Sequence, residues 1–210
     1  VRGGEIVGVV GVEGGGQRHL LRALAGRLEA TSGLLERPPV VGFVPEDRHH
    51  DAVLLDRSLG ENVALRGAGG RKGLIHWNGV HAHTVALMQA FDVRGADVRA
   101  PMRTLSGGNQ QKLVLARELD DAFDGTATPS GRGLALVVEN PTRGLDVRAT
   151  ADVHARLRAA RDRGAAVVVY SSDLDEVLSL ASRVLVAYAG TLREAPLDRD
   201  AVGRAMLGSD

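Results

Sequence analysis

The chain has 210 residues, 44% hydrophobic and only 3% aromatic, which suits a single domain whose core rests on Leu, Val and Ala. Lys+Arg and Asp+Glu both number 26, so the charge balance argues against nucleic acid as a partner, and the lack of cysteine fits a cytoplasmic protein without proving it. No apolar run approaches the ~20 residues that a helical span needs, and the N-terminus, with Glu5 and no cleavable apolar segment, shows no secretory signal.

Residues 5–10, Glu-Ile-Val-Gly-Val-Val, read as a short buried strand. Gly11-Val12-Glu13-Gly14-Gly15-Gly16-Gln17-Arg18 follows, and then Leu20, Leu21, Leu24 and Leu28 recur at helical spacing, with Thr31-Ser32-Gly33 ending the helical region. Strand, glycine loop and helix are the context of a phosphate-binding loop of pattern G-x-x-x-x-G-K-[ST]. Gly11 and Gly16 match its glycines, but Gln17 stands at the lysine and Arg18 at the hydroxyl that binds Mg²⁺. The backbone cradle survives such changes, whereas the charge that grips the outer phosphates does not. Read alone, the stretch is equally a tight strand-to-helix turn. Pro38-Pro39 breaks the chain, and residues 40–44 read as the next strand. Pro45-Glu46-Asp47-Arg48 emerges at its end, where α/β sheets place ligand-binding residues, although such a charged run also makes an ordinary solvated turn.

Residues 57–103 read as mainly helical, with a break between Gly67 and Gly73; Val80, Thr84, Leu87, Met88 and Phe91 share one face and suit a core. His76, His81 and His83 raise the question of a metal. His81 and His83 fall on different sides of a helix, with no carboxylate or cysteine suitably spaced near them, so no metal site is expected there. Ser106 precedes Gly107-Gly108 and an apolar-periodic run to about Leu119, which is a helix with Ser106 as its cap. Gly107 and Gly108 let a ligand approach backbone N–H groups at the positive end of the helix dipole, which favours phosphate. For a lone Ser-Gly-Gly, a capped surface helix is the simpler account.

Residues 120–133 are polar and read as a surface loop; 134–138 are wholly apolar and suit a central parallel strand covered on both faces. A helix is expected over 148–163, with Val153, Leu157 and Ala160 inward and Gly164 as its stop. Residues 165–170 form another strand, and Ser171-Ser172-Asp173 opens the next helix. Residues 184–187 and 191–194 are expected as edge strands around Ala189-Gly190, and 197–207 as a helix. The alternation predicts a mainly parallel sheet with helices on both faces.

The block Leu105-Ser106-Gly107-Gly108-Asn109-Gln110-Gln111-Lys112 resembles the signature motif of ATP-binding-cassette (ABC) ATPases, in the form seen in sugar and nucleoside importers. The lysine-free loop at 11–18 resembles the second nucleotide-binding half of those importers, and Glu139-Asn140-Pro141-Thr142-Arg143-Gly144-Leu145-Asp146 resembles the family's Walker B motif and D-loop. Pro141-Thr142 and Gly144-Leu145-Asp146 fix the register, so Glu139-Asn140 stands for the usual Asp-Glu. The resemblance implies ATP and Mg²⁺ as cofactors. It implies nucleotide-binding positions at Gly11, Gly14, Gly16, Gln17, Arg18, Ser106, Gly107, Gly108, Gln110 and Asp146. It puts Glu46 at the Q-loop glutamine, Ser172 at the switch histidine, Asn140 at the general base, and Mg²⁺ near Glu139 and Glu46. Asn140 cannot take a proton from water, and losing a general base costs on the order of 10²–10⁴ in rate; a serine cannot serve as the polarising partner that histidine is.

The implied fold is a P-loop NTPase-like α/β domain over 1–210, with a helical sub-lobe at about 57–118 facing transmembrane subunits. The family's opening antiparallel strands and adenine-stacking aromatic lie outside the chain, and the 33–40 connection is short enough to lack a hairpin. The chain therefore resembles the later portion of a two-domain ATPase, or a fragment. The leading expectation is a domain that hydrolyses little ATP in its own loop and presents Ser106, Gly107 and Gly108 to ATP held by a second nucleotide-binding domain. It would act at the cytoplasmic face of the bacterial inner membrane, with permease subunits, indirectly with a substrate-binding receptor, and without nucleic acid. The rival readings are a competent ATPase with Glu139 as base and Arg18 for the lysine, a soluble ABC protein acting on DNA or ribosomes, and an inactive fragment. The transported solute is not legible.

Overall fold

The structure, a computed structural model, describes residues 1–38, 40–120 and 134–209; the loop expected at 120–133 lies, from 121 on, outside the described residues. Five largely apolar runs and one polar run form six strands: β1 (Ile6–Gly11), β2 (Val40–Val44), β3 (Leu134–Glu139), β4 (Ala166–Tyr170), β5 (Arg183–Tyr188) and the polar β6 (Thr191–Ala195). They make one sheet in the order β2-β3-β4-β1-β5-β6, parallel except for β6. The helices are α1 (Gln17–Leu24), α2 (Arg48–Asp51), α3 (Leu59–Ala64), α4 (Trp77–Ala90), α5 (Gly107–Leu119), α6 (Val147–Asp162), α7 (Leu174–Leu180) and α8 (Arg199–Met206).

Successive strand residues point to opposite faces, and both faces are covered. Leu134, Leu136, Val138, Val167 and Val169 join a large core with Leu113, Val114 and Leu115 of α5 and Val153 and Leu157 of α6. Val137 and Val168 face the other way, onto Leu21 of α1. The same large core runs into the helical region through Leu59, Val63, Leu87, Met88 and Met102. On α4, Thr84, Leu87 and Met88 are buried as the shared face requires. The Ser58–Glu61 capping box starts α3.

Two features differ from expectation. Helix α1 stops at Leu24, and Leu28 is exposed outside it. Gly26, at φ +72°, takes the left-handed conformation, and the N–H groups of Gly26 and Arg27 bond back to Ala23 and Arg22 at 3.0 and 2.8 Å, a Schellman stop. The same device ends α6 at Gly164, φ +97°, as expected there. Strand β5 is not an edge strand: it pairs with β1 on one side and β6 on the other, because Val184 and Val186 pack under α7 and α8 in a second core with Val177 and Val202. Helix α7 opens from the expected run, with Asp173 as its cap, accepting from the N–H groups of Asp175 and Glu176. No strand intervenes between α1 and β2 among the described residues, and no described helix is long and apolar enough to cross a membrane.

Candidate functional site

The strand order places β4 between β1 and β3. In register, Val9, Tyr170 and Glu139 form one row, so the segments leaving these three strands converge at the carboxyl edge of the sheet, the usual place for an α/β ligand site. There a cleft of about 500 Å³ is lined by Gly14, Gly16, Gln17 and Arg18 from the glycine loop, Glu46 from the segment after β2, and Asn140, Tyr170 and Ser172 from the ends of β3 and β4. Gly14 and Gly16 have φ of +86° and +98°, which glycine adopts without strain. Gly11 answers a different need, close packing against β5, since a Cβ there would lie 2.6 Å from the Ala187 carbonyl.

Arg18 and Glu46 on the cleft wall are paired within the chain, and Glu13 lines the cleft beside them. Arg18 donates to Glu46 Oε2 at 2.6 Å, and Arg143 pairs with Glu46 Oε1. Arg22 reaches Asp51 at 2.5 Å, tying α1 to α2. Glu139 is buried, and its Oε2 accepts the Glu46 N–H at 3.0 Å while Oε1 has no partner. Burial pushes the Glu139 carboxyl above the ordinary glutamate value, against the lowering effects of the Glu46 N–H and of Arg22 and Arg18. Gln17 is buried as well; its Nε2 donates to the Val12 carbonyl at 3.1 Å, inside the loop, and Oε1 has no partner. Asn140 sits at φ +44°. Its Oδ1 accepts from the Ser172 N–H at 2.8 Å and the Ser172 hydroxyl at 3.2 Å. The two residues at the expected base and switch positions therefore bond to each other.

Ser106, Gly107 and Gly108 do not line that cleft; they stand at the start of α5. Ser106 Oγ accepts from the N–H and Nδ2 of Asn109 at 3.4 and 3.1 Å, and Asn109 Oδ1 accepts from the Arg94 N–H at 3.0 Å. Gln110, expected among the nucleotide contacts, is 5% exposed and bonded at both ends. Its Nε2 donates to the Met102 and Leu105 carbonyls at 3.3 and 3.1 Å, and its Oε1 accepts from Arg48 Nε at 3.2 Å and lies 2.8 Å from His49 Nε2. It holds the turn before α5 against α2 and so acts on the motif's shape from within. Asp146 caps α6, accepting from the Ala149 N–H at 2.8 Å. A Cβ on Gly107 would meet the Arg48 guanidinium at 2.8 Å, so glycine there lets that cation sit at the start of the helix. Farther along α5, Arg117 donates to the Ala52 and Asn62 carbonyls and to Glu118, and Glu118 accepts from the Phe43 N–H, which anchors the helix to α3 and the sheet.

Sequence reasoning missed Tyr170 as a cleft residue, Arg143 as the second partner of Glu46, and His49 beside the motif. The available signal was position: Tyr170 ends a buried strand, and Arg143 lies inside the run that leaves β3.

A cleft at the end of a parallel sheet and a glycine-started helix are shared by many nucleotide-binding folds, so comparison with known proteins decides the family. The ABC transporter family profile matches residues 1–122. The chain belongs to the ABC transporter family. Among its relatives, the nucleoside import ATP-binding protein NupA of Lactococcus lactis is 40% identical over 92% of this chain and 40% of the relative. The guanosine import ATP-binding protein NupO of Bacillus subtilis is 34% identical over 91% of this chain and 39% of its own length. The chain thus spans about two fifths of the curated relatives it matches. Its fold is the mixed α/β ABC ATPase fold: a dimeric structure of a post-hydrolysis state of the ATP-binding cassette MJ0796 bound to ADP and Pi matches with a TM-score of 0.75 at 19% identity, over 94% of this chain and 88% of that one.

The family implies Mg²⁺ with its nucleotide, and the donors in this cleft do not suit it. Mg²⁺ wants near-octahedral oxygen ligands. Here the expected hydroxyl is a guanidinium, Glu139 is buried with one oxygen under the Glu46 N–H, and both Glu46 oxygens hold arginines. Among the described residues, no group of three His, Asp or Glu side chains is placed to hold a metal ion.

Proposed function

We propose that this chain is an ATP-binding domain of an importer for nucleosides or simple sugars, and that it serves as the second, degenerate half of the motor. It lends the N-terminus of α5 to a nucleotide held in the phosphate loop of a partner nucleotide-binding domain. The observation that carries this reading is the contrast within the site: Ser106 is fixed by Asn109, with the Arg48 guanidinium beside Gly107 at the helix start, while Arg18 is paired with Glu46 and Asn140 with Ser172. Backbone N–H groups at a helix start are good phosphate donors, and they need no side-chain chemistry from this chain's own cleft. The names of the relatives, NupA and NupO, support nucleosides ahead of simple sugars as cargo.

In this reading ATP and its Mg²⁺ sit on the partner's loop. Leu65, Leu74 and Trp77 of the helical region are exposed apolar side chains available to permease subunits, with the domain peripheral at the cytoplasmic face of the membrane and a substrate-binding receptor engaged only through the permease. The test is ATP turnover in the assembled transporter. Ser106→Arg is expected to lower it by about 10² or more, the scale for loss of a preorganised anion site, and Gln17→Ala to leave it unchanged. The opposite pattern overturns the assignment.

A further inference from the structure

We propose that the cleft at the carboxyl edge of the sheet binds a di- or triphosphate group as a metal-free anion, with the Arg18 guanidinium in the place of the divalent cation. This rests on the reading of residues 11–18 as a phosphate loop and deepens it. Three observations carry it.

The first is the cation itself. Arg18 is the second residue of α1, on the cleft wall, with its side chain 65% exposed and its one described ion-pair partner, Glu46, on the same wall. A guanidinium offers planar, paired donors that match phosphate oxygens, and it needs no metal to bridge them. The second is the state of the acids. Glu139, the residue a metal would need, is buried, is not among the cleft-lining residues, and feels Arg22 and Arg18. Of the two, Arg18 lies on the cleft wall, where it repels a divalent cation and favours an anion; Arg22 is paired with Asp51, and the carboxylates of Glu13 and Glu46 line the same cleft.

The third is Glu46. Its carboxylate bridges Arg18 and Arg143, both well exposed at 65% and 70%, so an acidic side chain of the chain already occupies the position between two arginines that a phosphate group would take. An entering phosphate exchanges with that carboxylate. Glu46 thus weakens anion binding by competition while keeping the arginines ordered.

The experiment is calorimetric titration of the purified protein with ATP and, separately, with inorganic pyrophosphate, each in excess EDTA and in excess Mg²⁺. Saturable binding is expected in EDTA, no weaker than in Mg²⁺. Binding of both ligands makes the phosphate group the recognised unit, and binding of ATP alone adds the nucleoside to it; either outcome supports the proposal. Arg18→Ala is expected to weaken binding in EDTA by about tenfold or more, as loss of a charge-assisted contact does. Glu46→Gln is expected to tighten it. Arg18 is exposed, so its substitution should leave the melting temperature in place, which separates loss of binding from loss of fold. Binding that requires Mg²⁺, no binding in EDTA, or equal affinity in Arg18→Ala overturns the proposal. Should Ser106→Arg abolish turnover while the cleft binds no anion in EDTA, this inference falls and the signature reading stands. With EDTA-resistant, Arg18-dependent binding and turnover indifferent to Ser106, the signature reading falls and this inference stands.

Discussion

Two glycine-rich helix starts in this molecule use the same backbone device and have been treated differently. Helix α1 begins at Gly16 with no side-chain cap, and the polar groups around it are turned on one another: Gln17 into its own loop, Arg18 and Arg143 onto Glu46, Asn140 onto Ser172. Helix α5 begins at Ser106 with a side-chain cap, its polar neighbours Asn109 and Gln110 bond sideways and backwards, and the Arg48 guanidinium lies beside Gly107. Internal pairing lowers the gain from any incoming ligand, because a ligand must first replace bonds already made. A scaffold whose bonds are made elsewhere costs nothing to reorganise. In the proposed reading, the difference between the two starts lies in who partners whom as well as in which residues stand there.

The contrast can be tested most strongly at Gln110. Gln110→Ala removes the group that holds the Met102 and Leu105 carbonyls and accepts from Arg48, and is expected to cost about 2–4 kcal/mol of stability by leaving buried polar groups without partners. Thermal melting reads the stability, and turnover of the assembled transporter should fall in the same variant. A variant with parental melting and turnover would show that the signature turn is held by something else.

A smaller effect is expected on the other side. Asn140→Ala loses the bond from the Ser172 N–H and puts a less tolerant residue at φ +44°, for about 1–2 kcal/mol of stability. Turnover should not change, since the pair does no chemistry in the proposed arrangement. A large loss of turnover at parental stability would give the cleft a catalytic role and erase the contrast.

The smallest effect concerns Glu139 and depends on pH. Burial raises its carboxyl in the folded protein above the ordinary glutamate value of 4.5. Folding then favours the protonated form, so this group's contribution is fully present below that value and is lost as pH rises through the folded one. Glu139→Gln keeps an acceptor for the Glu46 N–H and cannot ionise. It is expected to melt above the parent at neutral pH, with the gap closing toward pH 4 and below. A gap that widens on acidification would mean that the carboxylate is stabilised by the arginines nearby.

The parallel sheet was legible because its strands are wholly apolar over five or six residues and covered on both faces, as 134–138 showed. The stop of α6 at Gly164 was legible for a local reason, a glycine after a periodic run. The identical stop of α1 at Gly26 was hidden by Leu28, which continues the period beyond the last turn and is exposed in the fold. Expecting β5 at an edge overlooked that its apolar residues need cover, which α7 and α8 supply. The motif that Gln110 belongs to suggests a ligand contact, but its side chain is buried. Its burial depends on α2, which is distant in the chain.

Sequence alone determined the order of strands and helices and the glycine turns, and it marked Gln17, Arg18, Asn140 and Ser172 as departures from the motifs it resembles, because periodicity, caps and motifs act over a few residues. Tertiary structure decided what those changes amount to. Arg18 and Glu46 are 28 residues apart, Asn140 and Ser172 are 32, and Glu46 and Arg143 are 97. Whether such groups meet depends on strand order, since β4 lies between β1 and β3 and β2 lies beyond them. That order is chosen by how the whole set of apolar faces packs, and no short stretch of the chain records it.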